Sequence, residues 1–255
     1  MPAAALYKGR AFTLALEASK AASADLAVLS AGLGYVRGDT PIPGYDLTIK
    51  PTGSASVVAK ITDGVDAGRW WDAMKKGPFS ANPLRDARGR GMILVCLSRA
   101  YADMVARDLL AISLIEGVEL RIFGLSLTDH LDEKLRPFVM PYDERLNMLG
   151  RPGTRVDFPQ RALLDYVTHI FDSGHDDLET DREKVVRRLA PVAPCRSSRR
   201  ERLSDHEIRG LIATHIPQVG CVSARILRRL RDVDQVSCEQ SRFARLFADV
   251  RRQIA

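Results

Sequence analysis

Four carboxylates stand beside Gly, Pro or aromatic residues in segments predicted to be loops: Asp39, Asp46, Asp143 and Asp157. A carboxylate held next to a sugar ring stabilises the positive charge that develops as an N-glycosidic bond breaks, and it can orient the attacking water. Asp46 is the first choice for that role and Asp143 the second. Tyr45 and Tyr142 could stack on a base, while Arg37, Arg145 and Arg161 could hold phosphate. Ser30, Gly32, Gly34 and Asp157 complete the expected substrate wall, because glycines at a strand exit let backbone approach a ligand. Taken singly, an Asp beside Gly or Pro is also ordinary turn chemistry.

Other chemistries lack their residues. Gly32, Gly34 and Gly38 do not follow the G-x-G-x-x-G spacing, and an X-Pro-rich stretch comes next where a dinucleotide fold needs a helix. There is no Walker sequence and no H-E-x-x-H. The histidines (130, 169, 175, 206 and 215) are scattered, and His206 and His215 are expected on the surface of a helical module. The four cysteines form no C-x-x-C pair, so neither a zinc site nor a disulfide framework is expected. No cofactor and no metal are expected.

The stretch that presents the candidates is Leu29–Ile49, LSAGLGYVRGDTPIPGYDLTI. Leu26–Leu29 reads as a buried strand, followed by a Gly-punctuated loop, two X-Pro pairs and a second extended piece from Tyr45. Upstream, residues 4–20 read as a loop and a helix. Downstream, the pattern predicts a strand over Ser56–Ile61, a short helix around Trp70, Trp71 and Met74 that ends at Gly77-Pro78, and an exposed loop over 77–91. Met92–Leu97 is the clearest strand; an amphipathic helix through Tyr101, Met104, Val105, Leu109 and Ile112 and a strand at Val118–Phe123 follow it. Strand–helix–strand is the signature of a parallel α/β sheet. A helix from about Pro159 to Phe171 would close the domain. The predicted fold class is α/β, a mainly parallel sheet flanked by helices, with a small basic three-helix module at the C-terminus.

Charge separates the two parts. Residues 182–255 carry 17 Lys+Arg against 8 Asp+Glu, whereas residues 1–181 carry 21 against 24. The basic excess is almost all arginine, whose fork matches phosphate, so nucleic acid is the expected partner class and double-stranded DNA its first member. MPAAALYKGR has no signal-peptide core, and Met92–Leu97 is too short to span a bilayer, so a cytoplasmic protein without membrane contact is expected. The division read from composition is 1–172 as the α/β domain, 173–202 as a charged linker with a short helix, and 203–255 as the basic module.

That module carries strong punctuation. Ser204–Glu207 and Ser237–Gln240 both read as capping boxes, and Ser223 starts a helix between them. Phe243, Leu246, Phe247, Val250 and Ile254 form the apolar stripe of the last helix. Ile216–Ala224 is similar to the hairpin of a helix–hairpin–helix, I-P-G-V-G-x-x-[ST]-A, with Gln218 in place of the first glycine; the same residues fit the turn of a helix-turn-helix. Arg199, Arg200, Gly220, Ser223, Arg225, Arg228, Arg229 and Arg242 are the candidate DNA contacts.

Three short elements resemble the YaaA-like superfamily of bacterial and phage proteins, which also includes the central domain of archaeosine synthase. They are Leu6-Tyr7-Lys8-Gly9, Leu29-Ser30-Ala31-Gly32-Leu33-Gly34-Tyr35 and Pro43-Gly44-Tyr45-Asp46-Leu47, with Gly44 where the family has proline. The resemblance covers residues 6–49 and extends weakly to the strand-then-Ser-x-x-Tyr at 92–101. The family's opening strand with its Ser/Cys-x-x-Lys motif has no counterpart ahead of Leu6. The resemblance implies an α/β domain with a basic cleft that acts on DNA or modified nucleobases. The expected function is a DNA glycosylase-type enzyme. A non-catalytic binder of unusual DNA structure and a base-modifying or transglycosylating enzyme on RNA are the alternatives.

Overall fold

A computed structural model describes residues 1–49, 53–60, 66–150, 152–172, 177–193 and 201–254. The chain is mixed α/β and divides into two compact units, residues 1–194 and 195–255.

Unit 1 opens with α1 (Ala3–Leu6) and α2 (Arg10–Ala21). β1 (Ala27–Ser30) and β2 (Gly34–Arg37) then pair antiparallel, with Ala27 opposite Arg37 and Ser30 opposite Gly34. The segment predicted as an open glycine loop is therefore a hairpin. Gly34 sits at φ 81°, and a Cβ there would lie 2.7 Å from the Met74 carbonyl oxygen, so only glycine turns the chain back at this point. Val36 is then buried with Ala3 and Ile42. The strand expected over Ser56–Ile61 is only a bridge from Ser56 to Thr48 followed by a 3-10 turn at Val58–Lys60; Ile61 lies outside the described residues.

α3 (Ala67–Met74) starts at Asp66, whose carboxylate accepts the Arg69 N–H. α4 (Pro83–Ala87) interrupts the predicted 77–91 loop. Asn82 accepts the N–H groups of Leu84 and Arg85, and Pro83 occupies the first helical position, where a missing N–H costs nothing.

β3 (Met92–Cys96), α5 (Arg99–Ser113) and β4 (Glu119–Phe123) form the expected βαβ unit, with Met92 opposite Glu119 and Cys96 opposite Phe123. Among the described residues the strands make two two-stranded sheets, one antiparallel and one parallel, rather than a mainly parallel sheet. Two further helices, α6 (Phe158–His169) and α7 (Leu178–Leu189), complete the unit. Helices cover both faces of the parallel pair, which lets its apolar strands stay buried. Side chains alternate along β4. Leu120 and Ile122 enter a core with Trp71, Leu97, Met104 and Leu109, while Phe123 enters a second core with Leu14, Phe158, Tyr166, Val185 and Leu189.

Arg121, on the Phe123 side of β4, is 1% exposed. Its Nε donates to Asp181 Oδ2 at 2.9 Å, a terminal nitrogen donates to Glu119 Oε2 at 2.7 Å, and the Tyr166 hydroxyl donates to the same Asp181 oxygen at 2.6 Å. α7 carries Asp181 and buries Val185 and Leu189, so the helix expected inside a linker is part of the core of unit 1.

Unit 2 packs α8 (Asp205–Val219), α9 (Ser223–Asp232) and α10 (Gln240–Ile254) around Ile208, Ile212, Ile226, Leu230, Phe243 and Leu246. The Ser204–Glu207 capping box forms as predicted. The second predicted box does not. The Ser237 N–H is taken by the Glu201 carbonyl at 2.7 Å, and α10 begins later, with the Phe243 N–H on the Glu239 carbonyl at 2.8 Å.

Removing Asp181 would take away the buried carboxylate that Arg121 Nε and the Tyr166 hydroxyl share. Asp181→Ala is expected to lower the stability of the chain by about 3–5 kcal/mol, read as a shift of the urea unfolding midpoint.

Candidate functional site

The hairpin places three hydroxyls together. Tyr45 Oη meets Ser30 Oγ at 2.5 Å and also contacts the Tyr7 hydroxyl. Ser30 Oγ accepts the N–H groups of Leu33 at 2.9 Å and Gly32 at 3.2 Å, which leaves its own proton to donate to a tyrosine. Gly32 has a second reason to be glycine. A Cβ there would lie 3.1 Å from the Tyr45 ring and 2.9 Å from Leu47 Cδ1, so its absence lets the ring settle on the turn. Trp70 Nε1 donates to the Ala31 carbonyl at 2.7 Å and fastens that turn to α3.

Burial pushes the Tyr7 hydroxyl above its ordinary pKa, and the hydrogen bond with Tyr45 adds to this. Tyr101, in the first turn of α5, is also raised, by burial first and by its proximity to Tyr45 second. The cluster is a set of hydroxyl donors and acceptors, with Ser30 buried and Tyr7 and Tyr45 half-buried. Tyr7 and Tyr101 enter it although no pattern in their own segments marks them as site residues; only the L-Y-x-G and Ser-x-x-Tyr likenesses touch them.

Asp46 is exposed while Tyr45 and Leu47 are half-buried, and it has no hydrogen-bond partner among the described residues. The remaining predicted wall separates into pairs. Asp143 accepts the backbone N–H and the Nε of Arg145, both at 2.9 Å. Burial pushes the Asp143 carboxyl up, but these bonds outweigh it and hold the group below the usual carboxylate range. Asp157 and Arg161 are both buried; Arg161 bonds Asp157 Oδ1 at 3.0 Å, Asn147 Oδ1 at 2.7 Å and the Thr154 carbonyl at 3.0 Å. This pair clamps the loop before α6. Arg37 is engaged by Asp86, with Nε to Oδ2 at 2.7 Å. Tyr142 is 5% exposed, packs on Phe123 and donates to Asp165 at 3.0 Å, so its ring has no open face for a base. Of the predicted wall, then, Ser30, Gly32 and Tyr45 come together, with Gly34 turning the hairpin that carries them.

In unit 2 the apolar face of α9 buries Ile226, Leu227 and Leu230. Arg225 and Arg228 are exposed and have no acidic partner among the described residues, while Arg229 is half-buried with its Nε unbonded. Two acids of this unit pair with arginines of other helices or of their own: Asp205 with Arg242 and Arg245, Asp249 with Arg209 and Arg252. Arg242, predicted as a DNA contact, also donates to the Leu203 carbonyl at 2.9 Å, which ties α10 to the start of α8. Arg199 and Arg200 lie outside the described residues.

α8 continues through Pro217 and Gln218 to Val219, so the expected hairpin shrinks to Gly220, Cys221 and Val222. The Gly220 N–H bonds the Ile216 carbonyl at 2.9 Å and the Val222 N–H bonds the Gly220 carbonyl at 2.8 Å. Ser223 is exposed at the first position of α9. His215, expected on the surface, is 5% exposed and bonds Asp234 Oδ2 at 2.6 Å through Nε2. It follows Ile208 and Ile212 at i+7 and i+3, the spacing of the buried stripe, which is the signal that marks it as interior.

No helix among the described residues is long and apolar enough to cross a membrane. Compared with known proteins, the chain matches no family model, no curated protein and no solved structure.

Five tyrosines (Tyr7, Tyr35, Tyr101, Tyr142 and Tyr166) are held above their ordinary pKa, burial being the first cause for each. The unfolded chain loses these protons first, so their contribution to stability is complete below about pH 10 and is lost as pH rises further. The melting temperature is expected to fall steeply above that pH, with tyrosinate absorbance lagging that of the unfolded chain.

Proposed function

We propose that the chain binds double-stranded DNA through unit 2 and acts on a base or nucleotide at the hydroxyl cluster of unit 1. The observation that carries this reading is the allocation of charge. Residues 195–255 hold 13 arginines, no lysine and 7 acids, while residues 1–194 hold 25 basic and 25 acidic side chains. The whole net charge of +6 therefore belongs to unit 2. Asp205 and Asp249 pair with arginines of α8 and α10, which leaves Arg225 and Arg228 of α9 for a duplex. A three-residue connection containing glycine favours helix-turn-helix over helix–hairpin–helix for α8 and α9.

For unit 1, the support is convergence. Tyr7, Ser30 and Tyr45 come from the three separate elements of the YaaA-like resemblance and meet in one hydrogen-bonded group. N-glycosidic cleavage would use Asp46 against the developing positive charge, with the hydroxyls holding the base. A purely binding role is the second reading. It is favoured by the exposure of Asp46 and by the neutralisation of Asp143 by Arg145.

Binding of a labelled duplex, followed by fluorescence anisotropy across a salt series, tests the first part. On a duplex of unselected sequence, where both cations meet phosphate, affinity is expected to fall steeply with salt, and Arg225→Gln or Arg228→Gln to reduce the slope of log K against log salt by about 1 each. Failure to bind any duplex would remove the proposal. For the second part, duplexes carrying modified bases are assayed for released base and abasic sites. Release that Asp46→Asn abolishes supports the glycosidase; binding without release from any substrate favours the second reading.

A further inference from the structure

We infer that α9 reads base edges in the major groove, and that Arg225 and Arg228 select sites containing guanine. This rests on the reading of unit 2 as a duplex-DNA binder and adds sequence selectivity to it. The residues of α9 divide cleanly. Ile226, Leu227 and Leu230 face the core of the unit, while Ser223, Ala224, Arg225 and Arg228 are exposed. The two arginines are i and i+3 on one face, with Cβ atoms about 5–6 Å apart, so they can reach neighbouring base pairs.

The small side chains of Ser223 and Ala224 in the first turn leave the helix axis free to approach a groove floor. The N-terminal half is therefore the half that can enter, and that end also carries the positive pole of the helix dipole. This is the orientation in which a recognition helix brings side chains to base edges. Each guanidinium offers two parallel N–H donors, which match the O6 and N7 acceptors that only guanine presents in the major groove.

The test uses the full chain and a library of random duplexes at about 0.15 M salt, near physiological ionic strength, with sequencing of the bound fraction. A guanine-containing motif is expected to be enriched. Arg225→Lys and Arg228→Lys keep the charge and lose the fork. Each is expected to cut the preference for the enriched duplex over a scrambled one by roughly tenfold or more. A second measurement does not depend on how the variants fold: 7-deazaguanine at the enriched position removes the N7 acceptor and is expected to weaken the unaltered protein selectively. Binding without enrichment, or no response to 7-deazaguanine, overturns base reading while duplex binding stands. Absence of binding to every duplex overturns both.

Discussion

A guanidinium in the middle of a buried strand carries a desolvation penalty of several kcal/mol unless every donor finds an acceptor. Arg121 of β4 imposes that condition on unit 1. Glu119, two residues back on the same face of the strand, supplies one carboxylate, and Asp181 of α7 supplies the other. Tyr166 of α6 then bonds the same Asp181 oxygen, so β4, α6 and α7 close around a single charge. The opposite side chains of β4, Leu120 and Ile122, belong to the core shared with α3 and α5. One five-residue strand thus couples both cores, and Met140 hangs from it through its N–H on the Ile122 carbonyl at 2.9 Å.

The two units divide their polar chemistry differently. In unit 1, cations and anions pair off locally: Arg37 with Asp86, Arg145 with Asp143, Arg161 with Asp157, Arg188 with Asp165. What is left at the hairpin, apart from the exposed Asp46, is a set of hydroxyls held by glycines at which a Cβ would collide. In unit 2 the pairing is one-sided, and an arginine face on α9 remains. Short-range hydrogen bonding is thus the resource of one unit and long-range attraction that of the other.

The parts of the fold legible in the sequence are those with a local signal. The βαβ unit announces itself by two apolar runs around a helical period, α6 by Pro159 at its start, and α8 by its capping box. The hairpin was not legible, because β1 and β2 have four residues each and the glycines between them also fit an open loop. α7 reads as a helix inside a linker because the contact that makes it core, Asp181 with Arg121, spans 60 residues. The candidate site was half legible. Ser30, Gly32 and Tyr45 do meet, but whether an arginine faces solvent or a carboxylate is a property of its partner. Nothing near Arg37, Arg161 or Arg242 in the chain reveals Asp86, the buried setting of Asp157, or Asp205.

The absence of lysine beyond Lys184 has a consequence for control. Acetylation and ubiquitination act on primary amines, and none of the side chains in residues 195–255 offers one. Acyl transfer therefore has no side-chain amine through which to weaken the cationic face of α9. The charge of unit 2 is in this sense permanent, and an attenuator would have to be a competing polyanion or a modification specific to arginine.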